Sequence, residues 1–394
     1  MAPPDAPPAP SPAPSPSPVT PSPPPAAKSE VEQEALASYE PSSVSIGGYL
    51  QPQFRLRQDS PAQFDSDGFK FARARLLVSG QTRAGNLELS ANVEAEMQPT
   101  FAMLDAYGTL ARTFVPSGAD KALPGKISLD GGQMRVPISR QNMLSDSRLS
   151  FVDKAQVATI APDRDLGVRL TAAPPKFPLK VIVGVFNGDG KNQVENINEH
   201  YLFAGRLEIS PFGRDAPLAE SAFGGRLLTL GLSYGHNNLT SMASGHELVN
   251  YYGADLAAAW KGLSGSFEYL LVTHAFEGSD PSMQAAAYHA NGWAAQLAYL
   301  LPTRLPPLRQ ARLELAARVE EIDRNDTIPI SMIGDPNQSV REYTGVISYY
   351  LRMHALKAQL AFNHFTEIED RTAVGGNASY KNDQLLVQVT YRLE

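Results

Sequence analysis

Cysteine is absent from all 394 residues, which excludes a disulfide framework, a thiol nucleophile and a thiolate metal site. No run of about 18 apolar residues occurs, so no transmembrane helix is available, although a membrane strand needs only about 9–11 residues. Positive charge is scarce: 34 Lys and Arg stand against 41 Asp and Glu, a net charge of −7. That balance argues against nucleic-acid binding, which calls for a basic stripe. There is no Gly-x-Ser-x-Gly elbow, no Gly-x-x-x-x-Gly-Lys phosphate loop and no His-Glu-x-x-His zinc motif. The histidines, at 200, 236, 246, 274, 289, 354 and 364, lack metal-ligand spacing, and no cofactor is implied. Asn187-Gly-Asp-Gly190 has the look of a calcium loop, but no EF-hand continues it, and a Gly/Asn turn is the plain reading. Met1 leads directly into a proline-rich run without the basic and apolar regions of a secretion signal. An export signal is therefore expected upstream of Met1.

Proline is concentrated at one end. Residues 1–27 are almost wholly Pro, Ala and Ser, a composition that favours extended polyproline II and cannot pack a core. They read as a linker. Residues 28–44 read as a connector, with a short acidic helix over 28–40 that is too short to hold alone.

From residue 45 to 394 the chain is dominated by alternation. Leu87, Leu89, Ala91, Val93, Ala95 and Met97 interleave with Asn86, Glu88, Ser90, Asn92, Glu94 and Glu96, the period of a strand with one apolar and one polar face. Turn chemistry then divides the region into about sixteen strands, at 45–57, 68–80, 86–97, 101–114, 126–137, 165–173, 179–187, 200–210, 225–235, 248–261, 263–275, 288–302, 311–323, 341–353, 355–368 and 383–394. An even count leaves both ends of a barrel on the same side. Short links at Thr82–Gly85, Lys261–Gly262 and His354 alternate with long ones at Asn187–Glu199, His236–Glu247, Arg324–Val340 and Asp370–Asn382, the short-turn, long-loop habit of outer-membrane barrels. Gln98–Thr100 and the links near 115–125 and 211–224 break the pattern.

The faces themselves leave two readings open. Leu50, Phe54 and Leu56 oppose Gln51, Gln53, Arg55 and Arg57; Leu385, Val387, Val389 and Tyr391 oppose Gln388, Thr390 and Arg392. With apolar faces outward the chain is a transmembrane barrel; with apolar faces inward it is a soluble β protein. Trp260, Tyr299, Tyr349, Tyr350 and Tyr391 fall near strand ends, where an aromatic girdle would lie. The longest interruption, Ile138–Asp165, would be the third outer loop. A wide barrel leaves an aqueous channel, so this loop is expected to fold inward and narrow it. It carries Arg140, Arg148, Lys154 and Arg164 together with Asp146, Asp153, Asp163 and Asp165.

Several ordered blocks resemble the phosphate-selective porins O and P: Phe69-Lys-Phe-Ala-Arg-Ala-Arg-Leu76, Leu104-Asp-Ala-Tyr107, Gly132-Gln-Met-Arg-Val-Pro-Ile-Ser139, Leu149-Ser-Phe-Val-Asp153, Ala161-Pro-Asp-Arg-Asp-Leu-Gly167 and Val185-Phe-Asn-Gly188. The resemblance covers about residues 45–394. It implies an all-β fold, a sixteen-stranded antiparallel barrel in the bacterial outer membrane, surrounded by lipid, homotrimeric, and passing small anions such as phosphate by diffusion. It also implies that arginines line the vestibule, with Arg73 and Arg75 on the second strand and, more loosely, Lys154 as the matching positions. The tandem arginines of the family pattern stand here as Ala72-Arg73, and the chain ends in Glu394 rather than an aromatic residue.

Guanidinium groups are planar, permanently charged donors that can replace part of an anion's hydration. Arg55, Arg57, Arg73 and Arg75 share a side on adjacent strands and could form one basic patch. The same arginines could instead pair with Glu88, Glu94 and Glu96 and stiffen the wall. Arg164 and Asp165 read as an anchor for the end of the long loop or as a local salt bridge, and Asp105 as a lumen carboxylate. Three functions follow. The first is a porin for small hydrophilic solutes, phosphate or other anions among them, and not an enzyme. The second is a soluble or surface β-rich binding module. The third is an outer-membrane barrel hydrolase built around a Ser-His pair, with His274 or His364 as candidates.

Overall fold

The computed structural model describes residues 42–58, 67–114, 125–212, 219–221, 223, 225–241, 245–278, 287–302, 311–327, 339–367 and 383–393. Sixteen strands form one closed antiparallel barrel in which each pairs with its neighbours in sequence and the first closes on the last. They are β1 (Ser43–Arg57), β2 (Gly68–Ala84), β3 (Leu87–Glu96), β4 (Ala102–Phe114), β5 (Gly125–Arg135), β6 (Arg164–Ala173), β7 (Leu179–Phe186), β8 (Leu202–Ile209), β9 (Leu227–Ser241), β10 (Gly245–Trp260), β11 (Leu263–Gly278), β12 (Tyr288–Leu300), β13 (Arg312–Asp323), β14 (Ser339–Arg352), β15 (Leu356–Glu367) and β16 (Gln384–Leu393). Closure gives every ladder a partner, which a sheet in hydrocarbon requires because lipid offers no hydrogen bonds. Among the described residues no helix is long and apolar enough to cross a membrane.

The distribution of side chains decides between the two sequence readings. Leu50, Leu76, Leu230, Leu256, Leu297, Ile347, Leu360 and Val387 are exposed, while Gln51, Gln53, Arg206, Glu268, Arg318, Lys357, Gln359 and Thr390 are buried. A soluble sandwich would bury the first set. The barrel turns it outward, toward lipid, and keeps the polar set in the lumen. Trp260, Tyr299 and Tyr391 face outward as a girdle requires, but Tyr350 does not: it is buried and donates its hydroxyl to Glu314 Oε1 at 2.8 Å. Tyr349 and Tyr350 are consecutive on β14, so only one of them can face lipid.

Local irregularities are few and purposeful. The β1–β2 ladder shifts between Gln51, opposite Arg73, and Pro52, opposite Phe71, leaving Ala72 as an extra residue. Proline cannot donate to a ladder and belongs at such a bulge. The bulge resets the phase of β2, so that Phe69 and Phe71 face lipid before it, Leu76 after it, and Arg73 and Arg75 both point inward. Gly132, at φ +131°, lies where a Cβ would come within 2.2 Å of the Ala106 carbonyl, which accounts for the glycine that opens the Gly132-Gln-Met-Arg block.

Strand ends differ most from expectation at one hairpin. The long outer loop expected at His236–Glu247 is mostly strand, because β9 runs to Ser241 and β10 starts at Gly245, in register throughout. The segment is rich in Asn, Ser, Thr, His and Gly in sequence, and a ladder extending past the hydrocarbon needs no apolar face. Ser43 and Val44, expected in the connector, are already the first residues of β1. The head 1–27, the helix expected over 28–40, and most of the loops at 324–340 and 370–382 lie outside the described residues.

Between β5 and β6, residues 136–163 contain a helical turn, α1 (Arg140–Met143), and two 3-10 turns at Asp146–Arg148 and Gln156–Ile160. Their contacts are with the polar faces of strands around most of the barrel, and these contacts build the site.

Candidate functional site

A loop without a sheet must find partners for its backbone polar groups, and here lumen-facing side chains supply them. Glu268 on β11 accepts from the backbone N–H of Arg140 at 2.7 Å and of Gln141 at 3.1 Å. Glu320 on β13 accepts from Gln156 N–H, and Lys357 on β15 donates to the Leu149 carbonyl. Ser233 Oγ donates to the Ile138 carbonyl at 2.8 Å, Gln359 Nε2 to Ser150 O at 2.9 Å, and Arg318 Nη1 to Asp153 O at 3.0 Å. An apolar underside adds to this. Phe151 and Val152 pack among Ala298, Ala316, Val346, Ala361 and Leu386, and Val136, Ile138 and Val157 pack with Leu270, Ala294 and others. Burying a side chain of phenylalanine size is worth about 1.5–3 kcal/mol. The inward face of β12 therefore carries Ala290, Ala294 and Ala298, and β13 contributes Ala316, where a water-lined wall would carry polar residues.

The opposite side of this loop borders a cavity of about 620 Å³, lined by Arg55, Arg57, Arg73, Arg75, Lys154, Arg164 and Arg318 and by four carboxylates, Asp146, Asp153, Asp163 and Glu342. Arg73 meets Asp146 at 3.2 Å and Asp153 at 3.1 Å. Arg75 meets Glu94, Glu96 and Asp146, each at 2.8 Å, and stacks over Tyr49. Arg164 meets Asp105 and Asp163, both at 2.8 Å, and Arg135 lies 3.7 Å from Glu94 and 3.8 Å from Asp105. Burial alone would raise the Asp146 carboxyl, but Arg73, Lys154 and Arg75 hold it well below the usual carboxylate range. Burial pushes the Lys154 ammonium down to about 8, with Asp146 opposing; its Nζ donates to the Asn142 carbonyl at 3.3 Å. A second cavity, of about 300 Å³, is lined by Asp105, Tyr107, Arg135, Met143, Arg169, Lys180 and Glu208 among others. It lies toward the other ends of β6, β7 and β8, and the Arg164–Asp105 pair stands between the two.

Six of the eight cationic residues singled out from sequence thus line one cavity. Arg140 and Arg148 do not. Arg140 is buried beside Ser150, Phe151 and Glu220, and Arg148, on a 3-10 turn, sits close enough to His354 to disfavour its protonation. Alternation cannot orient residues in helical turns, so sequence pattern had no hold on either. Arg164 and Asp165, read from sequence as an anchor for the loop end or a local salt bridge, take separate partners: Arg164 pairs with Asp105 and Asp163, while Asp165 accepts from the backbone N–H groups of Leu166 and Gly188, both at 2.7 Å. Glu94 and Glu96 are partners of Arg75, whereas Glu88 pairs with Arg83 at the turn. Sequence reading missed Arg135, Arg169 and Arg318. Arg135 was findable, since it shares a face with Gln133 in the Gly132 block.

The candidate hydrolase histidines are engaged by carboxylates, His274 by Glu247 at 2.6 Å and His364 by Asp383 at 2.9 Å. Among the described residues no group of three or more His, Asp or Glu is placed to hold a metal ion. Asn187-Gly-Asp-Gly190 is a turn, with Gly188 at φ +89° and Gly190 at φ +85°.

A closed sixteen-stranded barrel that turns its apolar face to lipid and a charged face to an interior cavity has the architecture of an outer-membrane porin, a channel for passive diffusion. The chain belongs to the phosphate-selective porin O and P family, whose profile matches residues 44–393, and its place is the bacterial outer membrane. Solved structures share the fold at low identity. The outer membrane channel DcaP of Acinetobacter baumannii aligns with TM-score 0.55 at 13% identity, over 89% of this chain and 97% of that one. OmpT of Vibrio cholerae, in its trimer form, aligns with TM-score 0.55 at 10% identity, over 90% and 100%. OprB of Pseudomonas putida aligns with TM-score 0.54 at 10% identity, over 92% and 96%. No curated protein matches the sequence.

Proposed function

We propose that this porin favours small anions, phosphate among them, and that residues 136–163 are an inward-folded third loop that forms its constriction. The observation that carries the reading is the lining of the outer cavity: seven cationic side chains against four carboxylates, in a chain whose net charge is −7. Charge rings of one sign set channel selectivity, and the family's description supports phosphate as one solute. Arg55, Arg57, Arg73, Arg75, Lys154 and Arg164 are the proposed lining; Arg140 and Arg148 act instead as parts of the loop's anchorage. The trimer form of OmpT supports a homotrimer for this chain as well. Residues 1–27 serve as a linker.

Planar-bilayer recording in a salt gradient tests the selectivity. The reversal potential is expected to show anion preference, and R73A/R75A to shift it toward cations, since Asp146, Glu94 and Glu96 then lose their counterions. A cation-selective wild type would overturn the anion reading. Removing one side of a buried ion pair costs about 3–5 kcal/mol, so the double variant is also expected to unfold more readily.

A further inference from the structure

The link between β8 and β9 was expected to be an inner turn, yet its residues 219–221 and 223 reach the underside of the constriction loop. Glu220 Oε1 accepts from Gln141 Nε2 at 3.1 Å and from Gln296 Nε2 at 2.6 Å, and Oε2 accepts from the backbone N–H of Ser150 at 2.7 Å. The Glu220 N–H donates to the Arg148 carbonyl at 3.1 Å. One carboxylate thus ties α1, the middle of the loop and the wall strand β12. Its neighbours complete the contact: Ser221 is buried with its carbonyl 3.4 Å from His354 Nε2, and Phe223 packs edge-on against Tyr350 and His354 at centroid distances of 5.0 and 4.8 Å.

We infer that Glu220 is a positioning residue for solute passage: from the periplasmic side it fixes the height of the loop across the lumen, and with it the width of the opening left beside the loop. The inference rests on reading residues 136–163 as the constriction. All three groups that Glu220 hydrogen-bonds are neutral donors, while the buried cations Lys357 and Arg318 lie near enough to feel its charge. Strands β11, β13 and β15 hold the same loop from the side; from below, the inner turn holds it together with Arg392 near the end of β16, whose Nη1 donates to Ser147 Oγ at 3.0 Å.

The test is single-channel recording on the full chain, with folding checked by heat-modifiable electrophoretic migration. E220A is expected to replace the wild-type conductance level by a spread of larger ones. Because E220A also removes a charge, a second variant separates the two effects. The backbone hydrogen bond from residue 220 to the 148 carbonyl brings the two residues side by side and the chain has no cysteine of its own, so the pair R148C/E220C is oxidised and its disulfide verified by mass before recording. R148C/E220C carries no charge at either position in either redox state. Oxidised, it is expected to show one stable level; reduced, it is expected to show the spread. Identical traces in both redox states would overturn the inference, as would E220A traces matching the wild type. A wild-type chain that forms no channel would instead overturn the porin reading beneath it.

Discussion

Lys154 is a lumen cation open to titration at ordinary pH. It lines the outer cavity within reach of Asp146, Arg135 and Arg164, and burial lowers it from the ordinary lysine value to about 8. The guanidinium groups around it stay charged at any accessible pH. Raising pH through about 8 therefore removes one positive charge from the cavity lining, and anion preference is expected to fall over that interval and level off on either side. The reversal potential measured between pH 6 and pH 10 checks this. K154R should abolish the step while keeping the preference, and K154Q should abolish the step at the lower plateau. A step that persists in K154Q would assign it to another group. Arg73 and Arg75 are a different kind of residue, each held by at least two carboxylates, so they combine the two roles that the sequence left open: they stiffen the wall and contribute to a lining that is positive in sum.

At the scale of the element, the informative feature is the bulge at Ala72. Apolar residues of β2 fall on odd positions at Phe69 and Phe71 and on even ones at Leu76 and Val78, a phase slip legible in the sequence but explained only by Pro52 across the ladder. Deleting Ala72 removes the extra residue and leaves Phe71 outward and Arg73 inward, so that variant is expected to assemble. Deleting Ala74 makes Arg73 and Arg75 adjacent and drives one of them into lipid, at a cost of about 2–4 kcal/mol near the bilayer midplane. Refolding yield into detergent, read by heat-modifiable migration, compares the two; equal yields would contradict the bulge assignment. The second element with a message is β12, whose inward positions Ala290, Gly292, Ala294 and Ala298 give the loop room. Small residues inward and Trp293, Leu297 and Tyr299 outward leave little apolar–polar alternation there, which is why sequence reading found the strand without seeing what covered it.

On the scale of the whole molecule, closure starts late. The ladder between β1 and β2 begins at Ser43 with Gln81, and the seam to β16 joins Gly48 with Leu393. A chain lacking residues 1–40 therefore retains every described strand and is expected to refold and conduct as the full chain does. A loss of conductance on this truncation would give the proline-rich head a role in the pore rather than that of a linker. The same view shows two segments converging within one barrel, the loop after β5 from one side and the turn after β8 from the other, joined through Glu220.

The number of strands, the residues that share a face of each and the position of the long loop were settled by residue order alone, because alternation with a period of two is a local property that each strand displays by itself. The ordered blocks added the family on the same local terms. Whether apolar faces look out or in was not local: both readings satisfy every strand, and only closure of β1 on β16 separates them. The site is less local still. Arg164 finds Asp105 across 59 residues, Glu268 finds Arg140 across 128, and Lys357 finds Leu149 across 208. Such partners are chosen by the curvature of a barrel and the path of a loop through it, and nothing in the spacing of residues along the chain encodes which charges will meet.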